Sequence, residues 1–192
     1  DLNGNGISDY NEIWSNMTLD KNRNRTLDSR EDCDQDGTPD LTALQGAGDA
    51  WAASLATTNM IQEYHAITGV LMSQSPANAV SAAQDLVITP TRRILVSSAS
   101  TNNVLEFTRV GAPVGVLVPT GSGGLSNPGQ MLLTGSGTLL VASRGNNAVL
   151  EFNLTTGAFV RQFVASGAGG MASPFGLAWG PSGNLFVSAG PG

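Results

Sequence analysis

Self-similarity at a spacing of about 45 residues constrains this chain more than any other feature, because a recurring unit must stack on its own copies. The clearest unit is 128–163, PGQMLLTGSGTLLVASRGNNAVLEFNLTTGAFVRQF. It predicts four short strands: GQMLLT before the turn GSG, TLLVAS before the polar corner RGNN, AVLEFNL before the turn TTG, and AFVRQF. Val, Leu and Phe runs bounded by Gly, Asn, Thr and Ser are strand signals, and the Gly-containing gaps are hairpin signals. Moving back 45 places lays Val96 on Val141, Ser98 on Ser143, Asn102 on Asn147 and Leu105-Glu106-Phe107 on Leu150-Glu151-Phe152. Moving forward 46 lays Pro174 on Pro128, Gly183 on Gly137 and Val187 on Val141. A shift of 88 lays Asn59–Gly69, NMIQEYHAITG, on NAVLEFNLTTG without a gap.

The copies therefore run over 47–82, with a weak first strand, then 83–127, 128–173 and 174–192, the last ending after two strands. Four strands per mid-forties period is the signature of a β-propeller blade, so the expected fold is all-β, a partial β-propeller of about three and a half blades. Turns every eight to twelve residues and β-branched alternation exclude helical repeats. Three and a half blades would leave two open sheet edges, normally a liability. The expectation is a piece of a longer chain, or self-association through those edges, two copies making a seven-bladed ring.

PFGLAWGPSGNLFVSAG (Pro174–Gly190) resembles the opening half of NHL-type propeller repeats, and NNAVLEFNLTTGAFVRQF resembles their second half. Blade two departs from the pattern, with Ala83-Gln84 and Thr91-Arg92 where the others have Pro and Ser-Gly. The resemblance, shared in part with lactonase-like and streptogramin-lyase-like families, implies a propeller face that binds a partner or carries a lyase or lactonase site.

Charge is segregated. Of fifteen acids, ten lie in residues 1–40 with four of the nine bases, and residues 41–192 balance five acids against five arginines. That neutral body lacks the basic footprint of a nucleic-acid binder. No apolar run is long enough to span a membrane, and the single Cys33 supports no internal disulfide.

The acidic head predicts an irregular array of calcium loops over 1–43, with the propeller segment over 44–192. DLNGNGISDYNE puts Asp1, Asn3, Asn5, Asp9 and Glu12 at loop positions 1, 3, 5, 9 and 12, with Gly6 at the turn and the Ile7 carbonyl at position 7. Ca²⁺ takes six to eight hard oxygens, and alternate residues of a tight loop aim theirs inward. DKNRNRTLDSRE repeats the set with Asp20, Asn22, Asn24, the Thr26 carbonyl, Asp28 and Glu31, but Arg25 stands in place of Gly. A non-Gly residue there costs about 1 kcal/mol, so this loop should bind more weakly. DCDQDGTPD supplies Asp32, Asp34, Asp36, the Thr38 carbonyl and Asp40, with Ala43 replacing the bidentate Glu. Only IWSNMTL separates Glu12 from Asp20, and nothing separates Glu31 from Asp32, so helix-flanked EF-hand pairs do not fit. The array resembles thrombospondin type 3 repeats and similar tandem loops of large bacterial surface proteins, which implies Ca²⁺ binding and an extracellular or cell-surface location.

Within the blades, Glu63, Glu106 and Glu151 recur at one strand position, with Arg109, Arg144 and Arg161 as candidate partners. Strand alternation aims them at a polar boundary between sheets, a structural role. Asp49 and Asp85 are then the only candidate channel acids, and His65, the only histidine, reads as a surface residue. Trp14 is expected to cover the calcium array, and Trp51 and Trp179 to face between blades. Asn102-Asn103 and Asn146-Asn147 are corners suited to left-handed backbone. No catalytic residue is assigned. The expected function is calcium-stabilised binding of a protein or glycan, and the alternative is an enzyme whose catalytic groups lie in other blades. Removing Ca²⁺ with EDTA should change Trp14 fluorescence while the β-sheet circular dichroism persists; identical fluorescence with and without chelator would contradict the loop assignment.

Overall fold

The structure, a computed structural model, describes residues 50–53, 59–64 and 69–190. These fall almost wholly in one compact unit, Trp51–Tyr64 with Leu71–Gly192. The candidate calcium ligands from Asp1 to Asp40, together with Trp14, Cys33, Asp49 and His65, lie outside the described residues, as does the Trp51 side chain.

Four sheets follow one another along the chain. The first has β1 (Ala50–Ala53), β2 (Ile61–Tyr64) and β3 (Leu71–Gln74). The second has β4 (Ala83–Ile88), β5 (Ile94–Ser98), β6 (Asn103–Phe107) and β7 (Pro113–Val118). The third has β8 (Pro128–Leu133), β9 (Thr138–Ser143), β10 (Ala148–Asn153) and β11 (Phe159–Val164), and the last has β12 (Pro174–Trp179) and β13 (Leu185–Ala189). Strand order is sequential in every sheet. The four strands expected over 128–163 are β8 to β11.

The strands that follow the first of each sheet explain their own sequences. TLLVAS is apolar almost throughout because β9 is buried on both faces. Leu139 and Val141 pack with Leu95, Val104, Met131 and Phe152 in the core between the second and third sheets. Leu140 and Ala142 face the other way, against Leu177 in the core between the third and fourth. Ile94 and Val96 of β5 likewise join Ile61 of β2 and Phe107. A strand with two dry faces loses the apolar–polar alternation and reads as a continuous run. The fourth strands, β7 and β11, are mostly exposed, so Val116 and Val160 sit on the rim.

Local backbone repeats as faithfully as the strands. Asn59, Asn102 and Asn147 all adopt positive φ, at 47°, 52° and 56°. These are equivalent corners, and Asn102 and Asn147 were expected to be left-handed from their residue type. The turn after β10 requires Gly157: its φ is +68°, and a Cβ there would come 1.7 Å from the Leu117 carbonyl oxygen of the preceding sheet. The third sheet is thereby seated directly on the backbone of the second.

Candidate functional site

The first strands β4, β8 and β12 lie side by side, β8 between the other two. Each pairs with its own second strand, and each pairing is irregular at the start, between Ala83 and Asp85, Pro128 and Met131, and Pro174 and Gly176. Such irregularities interrupt the ladder and re-aim side chains. At these irregularities stand Asp85, the first residue after one, and Gln130, within the next; the two are equivalent by the 45-residue shift. Asp85 Oδ2 accepts the Met131 N–H at 2.7 Å. Gln130 Oε1 accepts the Leu177 N–H at 2.6 Å. The candidate channel acid is thus one of two side chains that perform one task, fastening each first strand to the next.

The loops on the same side add a second set of fasteners. Asn102 Oδ1 accepts the Asn127 N–H at 2.6 Å, and its equivalent Asn147 accepts the Ser173 N–H at 2.8 Å. Acceptor and donor belong to successive sheets in both cases. Residue type alone marked these asparagines as corners; their side-chain role emerges only in three dimensions.

Glu106 and Glu151 are structural, as their alternation suggested, although their cations differ. Glu151 is 6% exposed and takes the Thr138 hydroxyl and the Arg161 Nε, each at 2.7 Å. Burial, the largest single influence, pushes its carboxyl up. The Thr138 and Arg161 hydrogen bonds and the Arg161 charge outweigh burial and hold it below the ordinary Glu range. Glu106 faces Gly115 where Glu151 faces Arg161, and its cation is Arg93, 3.6 Å away. Arg93 was not among the expected partners. Arg144, which was, does not meet this row: its guanidinium carbon lies 5.3 Å from the centroid of the Phe175 ring. Trp179 faces the third sheet as expected, donating its indole N–H to the Leu133 carbonyl at 3.2 Å and meeting Phe163 edge-on.

A cleft of about 480 Å³ opens between the second and third sheets, lined by Thr89, Thr91, Arg93, Leu95, Glu106 and Leu154 among others. Its two charges neutralise each other, so it offers hydroxyls and apolar wall but no activated nucleophile.

No family model and no curated protein matches this chain. Solved structures do. A protein of unknown function from Bacteroides caccae superimposes with a TM-score of 0.59 at 19% identity, over 73% of this chain and 52% of its own. Virginiamycin B lyase from Staphylococcus aureus gives 0.59 at 19%, over 76% and 46%. A streptogramin B lyase gives 0.58 at 18%, over 74% and 45%. The chain is an all-β protein of the β-propeller class, built of sequential antiparallel sheets. It spans about half the length of these structures. No helix among the described residues is long and apolar enough to cross a membrane.

Asp85 and Glu151 make opposite pH signatures. Burial pushes the Asp85 carboxyl above the ordinary Asp range, and the Met131 and Leu86 N–H groups only partly offset it. The folded state therefore holds that proton more tightly than the unfolded chain, so ionised Asp85 costs stability that is recovered as pH falls through its raised pKa. Glu151, held low, contributes stability above the ordinary Glu range that is lost as pH falls through its folded pKa. Asp85→Asn keeps an acceptor for Met131, much as Gln130 serves Leu177, and should match or exceed the parent in urea melts at pH 7. Asp85→Ala should lose about 1–2 kcal/mol. Equal losses for both variants would contradict the fastener role.

Proposed function

We propose that this chain is a calcium-binding extracellular protein of binding or structural function, whose propeller engages a protein or glycan. An N-terminal array over 1–43 would hold Ca²⁺ through Asp1, Asn3, Asn5, Asp9 and Glu12, through Asp20 to Glu31, and through Asp32 to Asp40, with backbone carbonyls at Ile7, Thr26 and Thr38. Millimolar external Ca²⁺ is in the range at which extracellular modules fill, roughly 10⁻⁴–10⁻³ M. The metal stiffens the arm that leads into the 44–192 propeller segment.

One observation carries the preference for binding over catalysis. The blade carboxylates whose contacts are described are consumed by structure: Asp85 by Met131, Glu106 by Arg93 and Glu151 by Thr138 and Arg161. Acid–base chemistry needs a titratable group poised toward a substrate, and these point between strands or between sheets. The second reading, an enzyme of the lyase type, is favoured by the likeness to virginiamycin B lyase. Its acid and base would come from blades other than these.

The readings separate on a glycan array probed with the chain in Ca²⁺ and after chelation, alongside incubation with a streptogramin B antibiotic. Saccharide binding with no turnover is expected. Turnover of the antibiotic without saccharide binding would replace this reading with the enzymatic one.

A further inference from the structure

Repeat equivalence separates residues that hold the fold from residues that do something else. Fasteners recur: Asp85 with Gln130, and Asn102 with Asn147. Three residues at the boundary of the third and fourth sheets break the pattern together. Arg144 stands where the second sheet has Ala99 and the fourth has Gly190. Phe175 stands where the second and third sheets have Gln84 and Gly129. Gly129 itself forms the floor beneath both. A Cβ on it would lie 3.3 Å from the Phe175 ring and 3.4 Å from Arg144 Cδ.

The arrangement is held stiffly. The Arg144 N–H bonds the Asn127 carbonyl and the Gly145 N–H bonds the Ser126 carbonyl. Asn147, two residues on, is fixed by its left-handed φ and its bond to Ser173. Phe175 backs the guanidinium from one side while remaining 43% exposed. An aromatic face in this position holds the guanidinium flat and leaves its in-plane N–H edge to meet a planar acceptor. Arg144 Nε itself is enclosed and meets no acceptor among the described residues, which leaves the terminal nitrogens to a ligand; in the same turn Asn146 Nδ2 donates to the Gly124 carbonyl at 2.8 Å while its Oδ1 meets no donor. The ion pairs of Glu106 and Glu151 belong to Arg93 and Arg161. Orphaned polar atoms of this kind call for a polar guest.

We propose that Arg144 and Phe175 form a subsite for the carboxylate of an acidic saccharide, a uronic-acid residue. The carboxylate matches the guanidinium fork. The exposed part of Phe175 offers apolar contact to the sugar ring. An acidic peptide would meet the same cation, and it is the competing ligand in the test. The subsite rests on the glycan-binding reading above and names its ligand class.

The test is calorimetric titration of the full chain, in Ca²⁺, with a trigalacturonate, its carboxyl-reduced counterpart and a triglutamate peptide. Trigalacturonate should bind about tenfold or more tightly than either control, as one charge-assisted pair lost would produce. Arg144→Ala and Phe175→Gln place at each site the residue that the second sheet carries there, so thermal melts should show both folded. Arg144→Ala should erase the preference for the acid, and Arg144→Lys should restore only part of it. Equal binding of acidic and reduced sugars, or an Arg144→Ala variant that keeps the preference, overturns the subsite while leaving glycan binding intact. Equal or tighter binding of the peptide overturns the saccharide assignment, and failure of both sugars to bind overturns the subsite and the glycan reading together.

Discussion

A strand at the edge of a sheet exposes N–H groups that must find acceptors, and in this chain that demand organises the join between successive sheets. Strands β4, β8 and β12 each pair on one side only, with the second strand of their own sheet. Their other edge has no ladder partner among the described residues, and the ladder to the second strand is itself irregular at its start. Side chains bridge the gap instead. Asp85 reaches Met131, and Gln130 reaches Leu177. One fastener per join, placed at the irregularity, converts an aggregation-prone edge into a register mark between sheets.

The apolar cores then fill in behind this register. The second strands β5 and β9 are buried on both faces because each is sandwiched by neighbours. The consequence is visible where a neighbour is missing from the described residues. Leu140 is fully buried beneath the fourth sheet, whereas its equivalent Phe186 is 62% exposed. The apolar residue is there in both cases; only the covering differs. At ~25 cal/mol per Å² of apolar surface, that difference is worth a few kcal/mol for one large side chain.

Much of this architecture was legible in the residues. The 45-residue period, the four strands of 128–163 and the asparagine corners follow from turn chemistry and strand composition, which act locally. The glutamate row was legible as structural because strand alternation is also local. The cation partners were not. Glu106 faces Gly115 rather than an arginine across the outer pair, so its ion pair comes from Arg93 on the inner side. The same register shift follows Glu106 and Glu151, so the difference lies in which residue the outer strand brings opposite, a pairing the sequence does not announce. The role of Asp85 was hidden for a different reason. Asp and Gln look unlike in a repeat alignment, yet each presents an acceptor oxygen to the next first strand, Gln through one more methylene. The subsite of Arg144 and Phe175 is the converse case, since its residues are conspicuous only as departures from the repeat, and the sequence does not show that the departures touch.

Amide hydrogen exchange followed by NMR tests the fastening of sheet to sheet most directly. The account predicts that the Met131 and Leu177 amides, although they lie on strand edges, exchange as slowly as paired core amides. It also predicts that Gln130→Ala accelerates Leu177 by about tenfold or more while leaving Met131 unchanged, the size expected for one lost hydrogen bond. Exchange of both amides at the rate of exposed loop amides in the parent protein would contradict it.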